Sequence, residues 1–269
     1  MIYSLIRYNS KKIYKIHFAI IAVLAVLITI NHTNMMLNND VGQLILGDIF
    51  LFIFGGFGTG DINILDLIIF SAPHILIFYF VEIFFEKITL ETPSTMFLRI
   101  GNLNKWSIST NISVFVALMK FYLIFFGISI ISIIVIFRPD LSINTISNNQ
   151  INDISQVLST WFTIIEIIML CVMTIYSMIL LSNNIYFISK KNLRAIPVVI
   201  LLNIISVIPN NLGEVYNKFI LFNQFIFKKH NIFNVGYEYL TIEFSYTYLI
   251  IFILVNLFLQ FVLIKKSDF

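Results

Sequence analysis

The chain has 269 residues, of which 59% are hydrophobic and 12% charged, and its mean hydropathy is +0.93. Such a composition excludes a soluble globular protein and puts the chain in a lipid bilayer. The net charge of +3 gives no argument for a nucleic-acid partner, and the single cysteine, Cys171, excludes an intrachain disulfide.

In chain order, Ile2, Leu5, Ile6 and Ile13 recur at near-helical spacing beside Arg7, Lys11, Lys12 and Lys15, with Tyr3, Tyr8 and Tyr14 between them. The pattern suits an amphipathic helix on the inner membrane face or, more simply, a solvated basic leader. An apolar run over residues 13–30 follows. It has the basic approach of a signal peptide but leads into Asn31-His32-Thr33-Asn34 with no small-x-small cleavage site, so it is expected to remain as an anchor.

Crossing ~30 Å of hydrocarbon takes about 20 apolar residues, fewer where flanking groups snorkel. Six runs meet this measure, at 13–30, 62–85, 112–137, 162–181, 195–208 and 246–264, the fifth being short. All six are expected to be helices, because lipid offers no partner to an open backbone N–H or C=O. Basic residues set the orientation. With both termini and the 86–111 and 189–194 loops cytoplasmic, the inside holds Arg7, Lys11, Lys12, Lys15, Lys87, Arg99, Lys105, Lys190, Lys191, Arg194, Lys265 and Lys266. The outside then holds only Arg138, Lys218, Lys228 and Lys229. Counting the apolar stretch 41–57 as a seventh span would flip every later loop and erase this bias. With Gly47, Asp48, Gly55, Gly56 and Gly58 it reads instead as a re-entrant or interfacial outer segment.

The glycine-rich sequence 55–60 lacks the Lys and Ser/Thr that a phosphate loop places after its last glycine; Asp61 and Ile62 follow here. The segment reads as an outer hinge, and no ATPase motif is present in the chain. The four histidines, His17, His32, His74 and His230, have no metal-ligand spacing, so no metal and no resident cofactor are expected.

Ionisable groups inside spans carry an insertion penalty of about 2.5–3.5 kcal/mol and tend to face protein or a water path. Three stand out: His74 beside Pro73 in the second span, Glu82 near that span's cytoplasmic end, and Glu166 about one turn into the fourth. Glu82 and Glu166 could each reach interfacial water, and His74 could be a neutral interior hydrogen bonder. Pro73, which frees a carbonyl one turn earlier, would bend its helix toward a cavity. Pro73, His74 and Glu166 are thus candidate substrate-path residues.

Between spans two and three lies a polar island, Leu98-Arg99-Ile100-Gly101-Asn102-Leu103-Asn104-Lys105-Trp106. It is either a plain solvated loop or a cytoplasmic docking helix over 95–106, started by Thr92-Pro93-Ser94-Thr95 and presenting Met96, Phe97, Ile100 and Trp106 on an apolar face. Beyond the fifth run, Val215, Phe219, Phe222 and Ile226 form a helical stripe capped by Lys228 and Lys229, which predicts a hairpin dipping into the outer leaflet. No repeat and no second domain boundary is visible, and the outer loops are too short for a separate external domain, so 1–269 reads as a single transmembrane domain.

This arrangement resembles the permease subunits of type-2 ABC exporters, above all the short permeases of low-GC Gram-positive bacteria that work with separate ATPase subunits. The local likeness is an arginine, a small residue, a basic residue and an aromatic ahead of the third span, here Arg99, Gly101, Lys105 and Trp106, with Asn102 and Asn104 where more basic residues are common. The resemblance implies an all-α polytopic fold with an N-terminal amphipathic helix, six spans, a cytoplasmic coupling helix and a re-entrant outer hairpin before the last span. It also implies a bacterial cytoplasmic membrane, a partner ATP-binding subunit that supplies ATP and Mg, and a second permease copy or paralogue. By the same analogy the cargo is an amphipathic or antimicrobial peptide, exported for secretion or self-immunity. Met96, Phe97, Arg99, Gly101, Lys105 and Trp106 are then the ATPase-coupling residues. A membrane-embedded enzyme and a secondary transporter are the competing classes; neither the convergent polar constellation of the first nor the repeats and buried charges of the second are evident.

Overall fold

A computed structural model describes residues 18–37, 45–56, 64–91, 103–139, 160–189, 218–232 and 240–266. They form six α-helices: α1 (Phe18–Leu37), α2 (Leu46–Phe54), α3 (Ile64–Glu91), α4 (Leu103–Phe137), α5 (Thr160–Ser189) and α6 (Ile242–Lys266). Two 3-10 turns, Leu221–Phe225 and Phe227–Lys229, precede α6, and there is no strand among the described residues.

Three stretches, Asn104–Phe137, Thr160–Ile188 and Ile242–Lys265, are long and apolar enough to cross a membrane, and α1 and α3 hold shorter apolar stretches, Ile20–Asn31 and Leu67–Ile83. The chain therefore has transmembrane character. Burial ranks the three long helices: 67% of the most apolar window of α5 is buried, against 33% in α4 and 22% in α6, which makes α5 the axis of the bundle. α6 packs along α5 and more lightly on α4, α1 lies against α4, and α2 sits against α5 and α4. The outward faces of α4 and α6 carry Ile131, Val135, Ile251, Leu254 and Phe258 in the open, which suits hydrocarbon and not water.

The runs at 13–30, 62–85, 112–137, 162–181 and 246–264 fall largely within α1, α3, α4, α5 and α6, while 195–208 and the basic leader 1–15 lie outside the described residues. Two boundaries differ from the sequence reading. α4 begins at Leu103 rather than 112, so the end of the polar island is the first turn of the third-span helix. Two serine hydroxyls there are satisfied within the helix: Ser109 Oγ donates to the Trp106 carbonyl at 2.8 Å and Ser113 Oγ to the Ser109 carbonyl at 2.6 Å.

The second difference is the bend before α6, where Val215 of the expected helical stripe lies outside the described residues and the stretch holding Phe219, Phe222 and Ile226 forms two short 3-10 turns. The Ile220 carbonyl takes the Asn223 N–H three residues on at 3.1 Å, the bond of a 3-10 turn, and Gln224 Nε2 adds a side-chain brace to the Lys218 and Ile220 carbonyls at 2.6 and 3.1 Å.

The stretch 41–57 contributes α2, a nine-residue helix. At 1.5 Å per residue it is roughly 14 Å long, well short of the hydrocarbon thickness. Its rings pack into the core: Phe54 meets Phe126 edge to face at 5.1 Å and Phe125 at 5.7 Å, and Phe50 lies 5.5 Å from Phe126. Gly47 lets α2 approach α5, since a Cβ there would stand 3.0 Å from Thr160 Oγ1.

Candidate functional site

His74 lies on α3 beside Pro73, which sits inside that helix. Its side chain is turned into the protein, 3% exposed, and its Nδ1 is 2.6 Å from the hydroxyl of Tyr122 on α4. Aromatic rings enclose it: Phe70 one turn earlier at 5.3 Å, Phe225 of the hairpin at 4.7 Å, and Tyr122 at 5.7 Å. Below these rings is a small cavity where five helices meet, lined by Ile28, Ile53, Phe54, Ile69, Phe70, Pro73, His74, Phe125, Phe126 and Cys171. His74 and Pro73 therefore share a cavity. Cys171, a buried thiol, lines its other side.

Glu166 does not belong to that cavity. It is partly buried on α5 and accepts a hydrogen bond from the Tyr246 hydroxyl of α6 at 2.5 Å. Glu82 on α3 likewise has a neutral partner, accepting from Ser182 Oγ of α5 at 2.9 Å. Both contacts lie in the bundle, so the three ionisable groups of the spans occupy three separate places.

The polar partners were not evident from the sequence. Asn111 of α4 donates to Gln260 of α6 at 2.7 Å, and Asn184 of α5 donates to both the carbonyl and the side-chain oxygen of Asn256 at 3.0 and 2.9 Å. Amides in an apolar run are the available signal, since a buried amide in lipid needs a partner. Which amide meets which depends on helix rotation.

At the other end of α3 and α4, Trp106 is buried rather than displayed. Its ring centroid is 6.4 Å from Phe85 of α3, and Phe85 in turn meets Tyr186 and Phe187 of α5 edge to face, both at 5.9 Å. Lys105 beside it is exposed. Met96, Phe97, Arg99 and Gly101 lie outside the described residues.

The hairpin is held from two sides. The Lys228 backbone N–H donates to the Gly55 carbonyl at 3.0 Å, and its Nζ donates to the Phe52 carbonyl at 3.2 Å while lying 5.0 Å from the Phe52 ring centre. Positive charge is favoured at such a helix C-terminus. On the other side, His230 Nε2 is 2.9 Å from Ser245 Oγ of α6, and Nδ1 is 3.2 Å from the Phe227 carbonyl. Because that carbonyl can only accept, Nδ1 carries the proton and Nε2 accepts from Ser245. Burial pushes His230 down to about 4, and it pushes Lys229, whose ammonium reaches Asn223 Oδ1 at 2.9 Å, down to about 8. Of the segment 55–60 expected to act as a hinge, 57–60 lie outside the described residues, and Gly56 is closely packed: a Cβ there would stand 2.8 Å from Ile226 Cγ2.

No group of three or more side chains suited to a metal ion occurs among the described residues. Comparison with family models, with curated proteins and with solved structures finds no match.

Proposed function

We propose that this chain is the membrane-spanning half of an ATP-driven exporter of the type-2 ABC class, driven by a separate ATPase subunit and acting with a second permease chain. In this reading it crosses a bacterial cytoplasmic membrane six times with both termini inside, and the hairpin before α6 is re-entrant. The cargo is an amphipathic peptide that reaches the path from the membrane, in keeping with the apolar faces that α4 and α6 turn outward.

The observation that supports this reading is the aromatic clamp of Phe85, Trp106, Tyr186 and Phe187, which joins the ends of α3, α4 and α5 beside the basic island. A push on residues 95–105 would be transmitted through Trp106 to three helices at once, and the continuous helix Leu103–Phe137 would carry it to the other end of the bundle. Trp106 thus acts behind the contact surface, and Arg99 and Lys105 make the contact with the ATPase.

Purification of the tagged chain from its native membrane in mild detergent, followed by mass spectrometry, tests the reading. An ABC ATPase subunit is expected in stoichiometric amount, and Arg99→Glu combined with Lys105→Glu should lower its recovery at least tenfold while Trp106→Phe retains it. A chain recovered intact and without an ATPase subunit overturns the proposal.

A further inference from the structure

The cavity at His74 combines nearly complete apolar lining with one imidazole. Ile28 comes from α1, Ile53 and Phe54 from α2, Ile69 and Phe70 from α3, Phe125 and Phe126 from α4, and Cys171 from α5. It is small, with room for about one water. A ring from outside the helices stands behind two of these residues. Phe225 stacks on Phe70 at 5.3 Å with planes 9° apart and lies against His74 at 4.7 Å, while the Tyr122 hydroxyl holds His74 from another side. Phe225 ends the first of two 3-10 turns in a bend that is fastened at separate points, by Lys228 to α2 and by His230 to α6. Leu221, Phe222, Ile226 and Phe227 are buried around it, so Phe225 moves only if the hairpin shifts as a unit, and its 3-10 turns carry no α-helical ladder to break when it does.

We infer that the His74 cavity is a binding site for an apolar group carrying one hydrogen-bonding atom, and that Phe225 is the removable wedge that admits it. The lining supplies apolar contact on every side, and the imidazole supplies one polar contact, since the Tyr122 hydroxyl takes only Nδ1 and leaves Nε2 without a hydrogen-bond partner among the described residues. Withdrawal of Phe225 lets Phe70 and His74 turn, which enlarges the cavity beyond a single water. The inference needs no ATPase and stands whether or not the exporter reading does.

The chain carries its own reporter, because its one cysteine lines this cavity. In the full-length protein purified in detergent, N-ethylmaleimide should modify Cys171 slowly in the wild type, at least tenfold faster in Phe225→Ala, and at an intermediate rate in Phe225→Leu. Lys228→Met, which loosens the hairpin without altering the cavity, should also accelerate labelling. Cyclohexanol should slow the reaction in Phe225→Ala more than cyclohexane at equal micellar concentration, and adding His74→Leu should remove the difference. Labelling of Phe225→Ala at the wild-type rate overturns the wedge. Fast labelling that cyclohexanol does not slow, as an unfolded variant would give, or equal protection by the two probes, overturns the binding site.

Discussion

Asn111 Nδ2 donates to Gln260 Oε1 across 2.7 Å, tying α4 to α6 through residues 149 positions apart, both of them buried. Lipid is as apolar as leucine, so hydrophobicity alone does not choose which face of α6 turns inward. Ser245, Asn256 and Gln260 lie on the buried face of α6 and meet His230, Asn184 and Asn111 respectively, whereas Leu254, Val255 and Phe258 face out. Gln260→Leu should lower stability by about 1–2 kcal/mol by stranding the Asn111 amide. The double variant with Asn111→Leu should recover part of this, with a coupling of about 0.6–1.7 kcal/mol. Unfolding titrations in mixed detergent measure both, and strictly additive losses would show that the contact does not hold α6.

Tyr246 donates to Glu166. Glu166→Gln keeps a carbonyl oxygen for that hydroxyl and should leave the protein's abundance unchanged, whereas Tyr246→Phe removes the donor and should cost about 1–3 kcal/mol. On the exporter reading, Glu166→Gln and His74→Leu each change the set of peptides that cells tolerate or export. Peptide-sensitivity profiles identical to wild type at equal abundance would make both residues structural.

Gly56 has φ +80, a conformation disfavoured for other residues, and a Cβ there would stand 2.8 Å from Ile226. Gly56→Ala should therefore cost at least about 1 kcal/mol, and the loss should fall on the seat of the hairpin. Limited proteolysis is expected to cut the variant faster between residues 218 and 232, while cleavage elsewhere stays as in the wild type.

His230 has a folded pKa of about 4 against 6.5 when exposed, so between these values the released hairpin binds more protons than the seated one. Stability of the seat is then full above pH 6.5 and falls as the pH drops toward 4. Lys229, lowered from 10.5 to about 8, has the same sign in a higher window, so the seat tightens as pH rises from 8 to 10.5. Proteolysis rates measured in steps from pH 7 to 4 should rise less in His230→Gln than in wild type. Parallel pH profiles would remove His230 from the account.

Composition and hydropathy were enough to put this chain in a membrane, because apolar helices are among the few structures that leave no backbone group unsatisfied in lipid. Most helices were legible for the same reason, and His74 was legible as an interior group because a lone imidazole in an apolar run has few other places to go. Residue pairing was not legible. The partners of His74, Glu166 and Asn111 are Tyr122, Tyr246 and Gln260, on other helices, and only the rotation of each helix about its axis brings them together. Trp106 was read as a displayed anchor, yet it is a buried clamp, because the first turn of α4 that carries it packs on Phe85 of α3. The hairpin's 3-10 turns were not legible either, because the apolar stripe recurs at α-helical spacing while the Ile220 carbonyl takes the N–H of Asn223 three residues on. Periodicity records how apolar each face is, whereas these contacts depend on direction, and direction is fixed only when the helices pack.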